Sequence, residues 1–105
     1  MYQYASRFIR AVDGDTVGLD LDLGFYQWRL GRTYRLARID APEIRTEGGP
    51  AARDALAAIL SGARAILATT SRADSFDRWI VELYADGESV SDALVAAGFA
   101  TYRTY

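Results

Sequence analysis

Residues 17–23 show the clearest hydrophobic pattern in the chain, because every second residue is apolar and the residues between them are glycine or aspartate. This period of two predicts a strand with one buried and one wet face. Strand-like composition also marks residues 2–12, 25–30 and 33–39. Turns are predicted at Asp13-Gly14-Asp15 and Gly31-Arg32, and Ala41-Pro42 ends the third strand.

Helical spacing of apolar residues follows, from Pro50 to Gly62, and again from the predicted cap Ser89 to Gly98. Two further strands are predicted at 65–70 and 79–84, with a polar loop at 71–77 between them. The order β-β-β-α-β-β-α predicts an α+β fold, a five-stranded OB-type β-barrel with two short helices. Other α+β folds share this strand count. The length of 105 residues predicts one domain, 1–105.

The amino-acid composition limits the types of catalytic and metal site that the chain can form. The chain has no cysteine and no histidine, which excludes disulfides, the usual zinc sites and catalysis by Ser/His/Asp or Cys/His sets. Catalysis would therefore depend on carboxylates, arginines, hydroxyls and a hard cation. The net charge of -2 argues against a protein that coats nucleic acid by charge alone. The N-terminus lacks a signal-peptide pattern and no apolar run could span a membrane, so we expect a cytoplasmic protein without membrane contact.

Three aspartates, Asp13, Asp15 and Asp40, fall at or beside predicted turns. Carboxylate and main-chain oxygens are the ligands that calcium selects, so a calcium site is one interpretation. For the Asp13-Gly14-Asp15 segment alone, ordinary hairpin chemistry explains the residues better.

Two longer segments carry a resemblance. Val12-Asp13-Gly14-Asp15-Thr16-Val17 and the segment from Arg35 through Ile39-Asp40-Ala41-Pro42-Glu43 resemble the V-D-G-D-T-V and R-L-x-x-[IV]-D-[AT]-P-E motifs of the staphylococcal nuclease (thermonuclease) family. Residues 84–87 and 90–98 resemble its last hairpin and following helix. The loop at 44–49 is short, and the sequence ends before the family's C-terminal helix. In these features the chain is similar to small cytosolic or phage-encoded members of the family.

The resemblance implies a metal centre and a base. Asp15, Asp40 and the main-chain carbonyl of Ala41 would bind Ca²⁺, although other divalent cations are possible. Glu43 would be the general base, or the group that orients the attacking water. The alternatives are a strand-end cap for Asp40 and an exposed loop carboxylate for Glu43.

The resemblance also assigns Arg35 and Arg78 to the phosphate, where their planar cations would stabilise the charge of the transition state. Arg78 lies in a weaker motif, because Phe76 and Asp77 precede it where the family usually has a tyrosine and a glycine. A surface salt bridge is the alternative for Arg78.

Four further residues are open to two interpretations each. Asp13 is better explained as a turn-forming residue than as a carboxylate that supports the cation ligands. Arg38 either lies on the solvated exterior of the barrel or contacts a phosphate. Tyr102 and Tyr105 could stack on a base. Packing at the terminus is the better prediction for both tyrosines.

The function implied by the resemblance is a calcium-dependent nuclease that hydrolyses DNA and/or RNA, single-stranded or frayed, as a monomer. One alternative is a non-catalytic OB-fold module that binds nucleic acid or protein. Another is a structural calcium-binding barrel, which would leave Arg35, Glu43 and Arg78 without a role.

Overall fold

Strands make up most of the computed structural model, which describes residues 2–75 and 78–103, with only the main chain for 71–75. In chain order the elements are β1 Gln3–Asp13, β2 Thr16–Gly24, β3 Gln27–Leu36, β4 Ile39–Asp40, α1 Gly49–Gly62, β5 Ile66–Ser75, β6 Arg78–Ala85, β7 Glu88–Ser89, α2 Val90–Ala96 and β8 Thr101–Tyr102. Both predicted helices and all five long strands are present. No helix in the described ranges is both long and apolar enough to cross a membrane.

The five long strands close into a barrel. Strand β1 pairs antiparallel with both β2 and β5, β2 pairs with β3, and β5 pairs with β6. A parallel pairing of β3 with β6, which sets Tyr34 against Trp79 and Arg35 against Ile80, joins the two edges. The predicted OB-type barrel is therefore confirmed, with α1 inserted between the third and fourth long strands.

The barrel interior is apolar. Val17, Leu19 and Leu21 are buried, as the alternation predicts, and they pack with residues of β3, β6 and both helices. The prediction is wrong for Leu23, which is 46% exposed near the end of β2. The prediction of a wet opposite face is wrong for the first half of β2, because Gly18 and Asp20 are also buried. Side chains from the neighbouring strand cover that face: Arg10 lies against Gly18, and Arg7 forms an ion pair with Asp20.

The predicted turn at Gly31-Arg32 is wrong. Strand β3 runs through both residues, and the chain reverses instead between Gly24 and Gln27. Gly31 has a φ of 66° and donates its N–H to Asp20 Oδ1 at 2.7 Å. The pairing of β2 with β3 is irregular between Leu19 and Leu21, so glycine here accompanies a bulge rather than a reversal.

Two other boundaries differ from prediction. Strand β3 ends at Leu36 rather than at residue 39, and the predicted loop at 71–77 is strand as far as Ser75. The polar residues there still pair with β6, because backbone hydrogen bonding in a ladder does not require apolar side chains. The predicted cap is confirmed, since Ser89 Oγ accepts the Asp92 N–H at 3.3 Å.

Candidate active site

Three segments meet at one corner of the barrel: the β1–β2 turn, the end of β3 and strand β4. Thr16 pairs with Arg35, and the N–H of Leu36 donates to the carbonyl of Asp15 at 2.8 Å. Arg38, with a φ of 69°, then turns the chain into β4, which begins at Ile39. Residues far apart in sequence are thereby brought together by main-chain hydrogen bonds.

Arg35 joins the two carboxylates of this corner. Its Nη1 lies 2.9 Å from Asp15 Oδ2, and its Nη2 lies 2.5 Å from Asp40 Oδ1. Nη2 also donates to the carbonyl of Ile39 at 3.2 Å. The side chains of Arg35 and Asp15 are only 11% and 9% exposed, so water screens this pair weakly. One guanidinium group thus holds Asp15 and Asp40 close to each other.

Asp15 is held in its ionised form. Burial alone would raise its pKa, but hydrogen bonds involving Asp13, the Ala41 N–H and Arg35, with the positive charge of Arg35, outweigh burial and lower the pKa. The Ala41 N–H donates to Asp15 Oδ2 at 3.0 Å, and Thr16 Oγ1 donates to Oδ1 at 3.3 Å. At neutral pH this carboxylate therefore presents negative charge.

Asp13 has the turn role that the sequence predicts, since its Oδ1 accepts the N–H of Asp15 at 3.1 Å. Partial burial, followed by its hydrogen bond with Asp15 and that residue's negative charge, raises the pKa of Asp13. The two aspartates of the turn are thus shifted in opposite directions. Of these two aspartates, only Asp15 has an arginine partner among the described residues.

Two glycines allow the segments of the site to approach closely. A Cβ on Gly14 would lie 2.6 Å from the Cβ of Ala41 and 2.7 Å from that of Ala52, at the start of α1. A Cβ on Gly49 would lie 2.0 Å from the carbonyl oxygen of Glu43. The turn that carries Asp15 and the loop that carries Glu43 therefore pack against backbone and small side chains with no room for a methyl group.

Glu43 lies on the exposed loop between β4 and α1. Its carbonyl accepts the N–H of Thr46 at 2.9 Å and the Thr46 hydroxyl at 2.7 Å, which fixes the main chain. The Glu43 carboxylate has no hydrogen-bond or ion-pair partner among the described residues. A fixed backbone with an open carboxylate suits a group that receives a proton from a bound substrate or water.

Arg78 begins β6 and is half-buried. Because Arg35 pairs with Ile80, and residues two apart on a strand share a face, Arg78 and Arg35 lie on the same face of the sheet. Phe76 and Asp77, which precede Arg78 in the weaker motif, lie outside the described residues.

Arg38 and Tyr102 form a network beside the site rather than part of it. The Arg38 guanidinium binds Glu82 at 2.8 Å and Asp92 at 3.1 Å, and lies 5.9 Å from the Tyr102 ring centroid. The Tyr102 hydroxyl donates to Asp92 Oδ1 at 2.8 Å. Tyr102 is 58% exposed, so its two alternative roles, packing and stacking on a base, both stay predictions, and Tyr105 lies outside the described residues.

Sequence reasoning missed Arg103. Its Nη1 lies 3.1 Å from Asp40 Oδ1, and its N–H donates to the carbonyl of Arg38 at 2.7 Å. It reaches the site because β8 pairs with β4, a contact between strands of two residues each that no periodicity could reveal. The only available signal was a basic residue following Thr101-Tyr102, which is common and unspecific.

The donor set fits a hard cation. The pKa of Asp15 is lowered, Asp40 shares Arg35 with it, and the Ala41 N–H binds Asp15, so two carboxylates and the main chain of Ala41 lie at one corner. Among the described residues no group of three or more His, Cys, Asp or Glu side chains could hold a metal. A cation at this corner would therefore need main-chain oxygen and water to complete its coordination.

Comparisons with known proteins point to one family. The family model described as staphylococcal nuclease homologue matches residues 33–105, which include Arg35, Asp40, Glu43 and Arg78 but not Asp15. A protein of Escherichia coli O157:H7 named an uncharacterized endonuclease is 31% identical over 101 residues, covering 94% of this chain and 61% of that protein. A second protein with this name, from Escherichia coli, shows the same identity and coverage. The chain thus spans about three fifths of the length of these relatives.

Proposed function

The chain belongs to the family of staphylococcal nuclease homologues, and on that premise we propose that it is a calcium-dependent nuclease that hydrolyses phosphodiester bonds of DNA or RNA. The observation that carries the proposal is the bridge from Arg35 to Asp15 and Asp40 at one corner of the barrel. Burying charged groups is costly, so two carboxylates around one nearly buried arginine favour a site that uses those charges. A site that binds a cation and a phosphate needs them.

Asp15, Asp40 and the carbonyl of Ala41 would hold the cation. When bound, calcium supplies positive charge to a phosphate oxygen and lowers the pKa of water. The residues around it have separate tasks. The hydrogen bonds that keep Asp15 ionised leave its oxygens unprotonated over the neutral range.

Arg35 and Arg78 would bind the phosphoryl oxygens. Once the carboxylates have another counter-charge, the guanidinium of Arg35 can turn its donors to the phosphate, and Arg78 lies on the same sheet face. Planar, permanently charged forks match phosphate geometry and stabilise the charge that gathers in the transition state.

Glu43 would orient the attacking water and take its proton, while the departing oxygen leaves on the opposite side of phosphorus. Its exposed carboxylate and fixed main chain support this role. We further propose that the protein acts as a monomer on single-stranded or frayed nucleic acid.

The decisive experiment is a cleavage assay on denatured DNA and on RNA, with calcium and with chelator, for the parent chain and for Glu43→Gln. We expect calcium-dependent cleavage that Glu43→Gln reduces about a hundredfold, since a positioned general base contributes on that order. Glu47→Gln, on the same loop, is the matched control and should cleave as the parent does. Tight binding without cleavage by the parent chain would favour the non-catalytic module instead.

A further inference from the structure

Arg103 brings a second guanidinium group to Asp40. Its Nη1 lies 3.1 Å from Oδ1, the oxygen that also receives Nη2 of Arg35. The side chains of Arg103 and Asp40 are 51% and 47% exposed, so this contact faces solvent, unlike the pair of Arg35 with Asp15. An exposed ion pair of this kind adds little stability. Its position at the site is therefore the feature to explain.

The main chain of Arg103 is fixed although its side chain is exposed. Strand β8 pairs with β4, which sets Thr101 against Asp40, and the Arg103 N–H donates to the carbonyl of Arg38. The Tyr102 hydroxyl anchors the same strand to Asp92. The guanidinium group can therefore leave Asp40 by side-chain rotation, with its backbone still anchored beside the site.

The charges at the corner favour such a movement. Arg35 contacts both Asp15 and Asp40, and Arg103 contacts Asp40. A divalent cation on the two carboxylates would add positive charge beside both guanidinium groups and repel them from Asp40. A phosphodiester group is the anion that would then satisfy them, because the guanidinium fork matches two phosphate oxygens.

There is space for a nucleotide on this side of Asp40. A cavity of about 260 Å³ lies between residues 40–42 and residues 98–101, and its lining is mostly apolar. Thr101, which lines it, lies two residues before Arg103. A nucleoside in this cavity would lie between Asp40 and strand β8.

We propose that Arg103 is a third substrate-binding arginine, which contacts a phosphate of the nucleic acid on the β8 side of Asp40. The proposal rests on the proposed function, since it names a further contact at the same site. It also makes cation and substrate binding cooperative, because each ligand favours the release of Arg103 from Asp40.

The test measures binding rather than turnover. All proteins carry Glu43→Gln, so that the substrate is not cleaved. The affinities for calcium and for a thymidine hexamer are each measured with and without the other ligand, for the protein that keeps Arg103 and for the Arg103→Ala variant. Arg64→Ala is the control, because Arg64 is an exposed arginine beyond the C-terminal end of α1, roughly 20 Å from the end that packs on Gly14. Arg103→Lys keeps the positive charge but removes the planar guanidinium group, so it separates the effect of charge from that of geometry.

We expect Arg103→Ala to weaken hexamer binding in calcium about tenfold, since a charge-assisted hydrogen bond to phosphate is lost. Calcium affinity without hexamer should rise about two- to fivefold, because an exposed competing cation is removed. The mutual enhancement of the two ligands should shrink, and Arg103→Lys should fall between. A residue that only clamps β8 would not shift the two affinities in opposite directions.

Two results would overturn the proposal. Arg103→Ala could match Arg64→Ala in every measurement, or it could lower both affinities together with the melting temperature, which would indicate a structural clamp. If the parent chain cleaves DNA or RNA with calcium in either case, the proposed function survives. If the parent chain binds neither calcium nor the hexamer, the proposed function fails and this proposal fails with it.

Discussion

The two ends of the β2–β3 hairpin differ in how strongly neighbours constrain their side chains. At the base, Asp15 and Arg35 are nearly buried and each has several polar partners. At the tip, Phe25 and Tyr26 are 97% and 102% exposed, and Gly24 has no neighbouring atom within reach of a Cβ. Side chains at the base of the hairpin are thus constrained by specific contacts, whereas those at the tip are exposed to solvent. Its base is where we expect substitutions to affect both stability and activity.

The largest effect should come from Arg35→Ala. This change leaves the buried carboxylate of Asp15 without its counter-charge, which destabilises by about 3 kcal/mol, and removes a phosphate donor, which slows cleavage by roughly a hundredfold or more. Urea unfolding and steady-state cleavage measure the two effects. Arg29→Ala, towards the tip of the same strand, is the control, and a loss of equal size there would contradict the comparison.

The next largest difference is expected between substitutions of a glycine near the base and a glycine at the tip of the hairpin. Gly14→Ala places a methyl group within 2.6 Å of the Ala41 Cβ and should destabilise by about 2 kcal/mol, with a clear loss of cleavage because the Asp15 turn must move. Gly24→Ala meets no atom but holds a φ of 82°, so it should cost about 1 kcal/mol and leave cleavage unchanged. Thermal unfolding and cleavage rates compare the pair. Equal losses of activity would show that the tip also contributes to the site.

The pH dependence of stability should separate Asp13 from Asp15. The pKa of Asp15 is lowered on folding, so its stabilisation is present above the unfolded value of 3.8 and is lost as pH falls below it. The pKa of Asp13 is raised, so its ionisation destabilises the fold as pH rises above 3.8. We expect Asp13→Asn to raise the free energy of unfolding modestly at pH 7 and to have no such effect near pH 3.

The matched control for that variant is at the tip. Asp22 accepts the N–H of Gly24 at 2.9 Å, as Asp13 accepts that of Asp15, but in an exposed turn. Asp22→Asn keeps the hydrogen bond and should change stability less than Asp13→Asn does. Denaturant unfolding at both pH values measures the difference, and a gain at pH 7 that is equal in the two variants would refute the roles of burial and of Asp15 in raising the pKa of Asp13.

The smallest effect concerns the tip itself. Phe25 and Tyr26 have φ values of 56° and 61°, which glycine and asparagine adopt more easily than aromatic residues. The double change of Phe25→Asn with Tyr26→Gly should raise stability by about 1 kcal/mol without altering cleavage. A fall in cleavage would mean that the tip binds substrate, and the contrast between the two ends would need revision.

Most of the barrel was predictable from the chain. The alternation at 17–23 marks β2, and apolar spacing marks both helices, with Pro50 in the first turn of α1 and the Ser89 cap on α2. These signals are local, and the apolar spacing repeats several times within one element. The prediction failed at Gly31-Arg32 and at 71–75, where turn-like or polar composition lies inside a strand. Pairing with a neighbouring strand decides such segments, and a single-sequence pattern contains no information about the neighbour.

The residues of the candidate site were also predictable in part. Asp15, Arg35, Asp40 and Glu43 were named from two motif segments, because the residue types and their order are specific. Their roles remain proposals.

What the tertiary structure alone decided is how those residues depend on others. The ion pairs of Arg35, the close approach at Gly14 and Gly49, and the arrival of Arg103 at Asp40 all join segments distant in the chain. The sequence by itself determined the barrel strands, the helices and the residue types available for phosphate chemistry, because these follow from local pattern. The contacts that place and charge the site follow from closure of the barrel and from the β4–β8 pairing, which are long-range events.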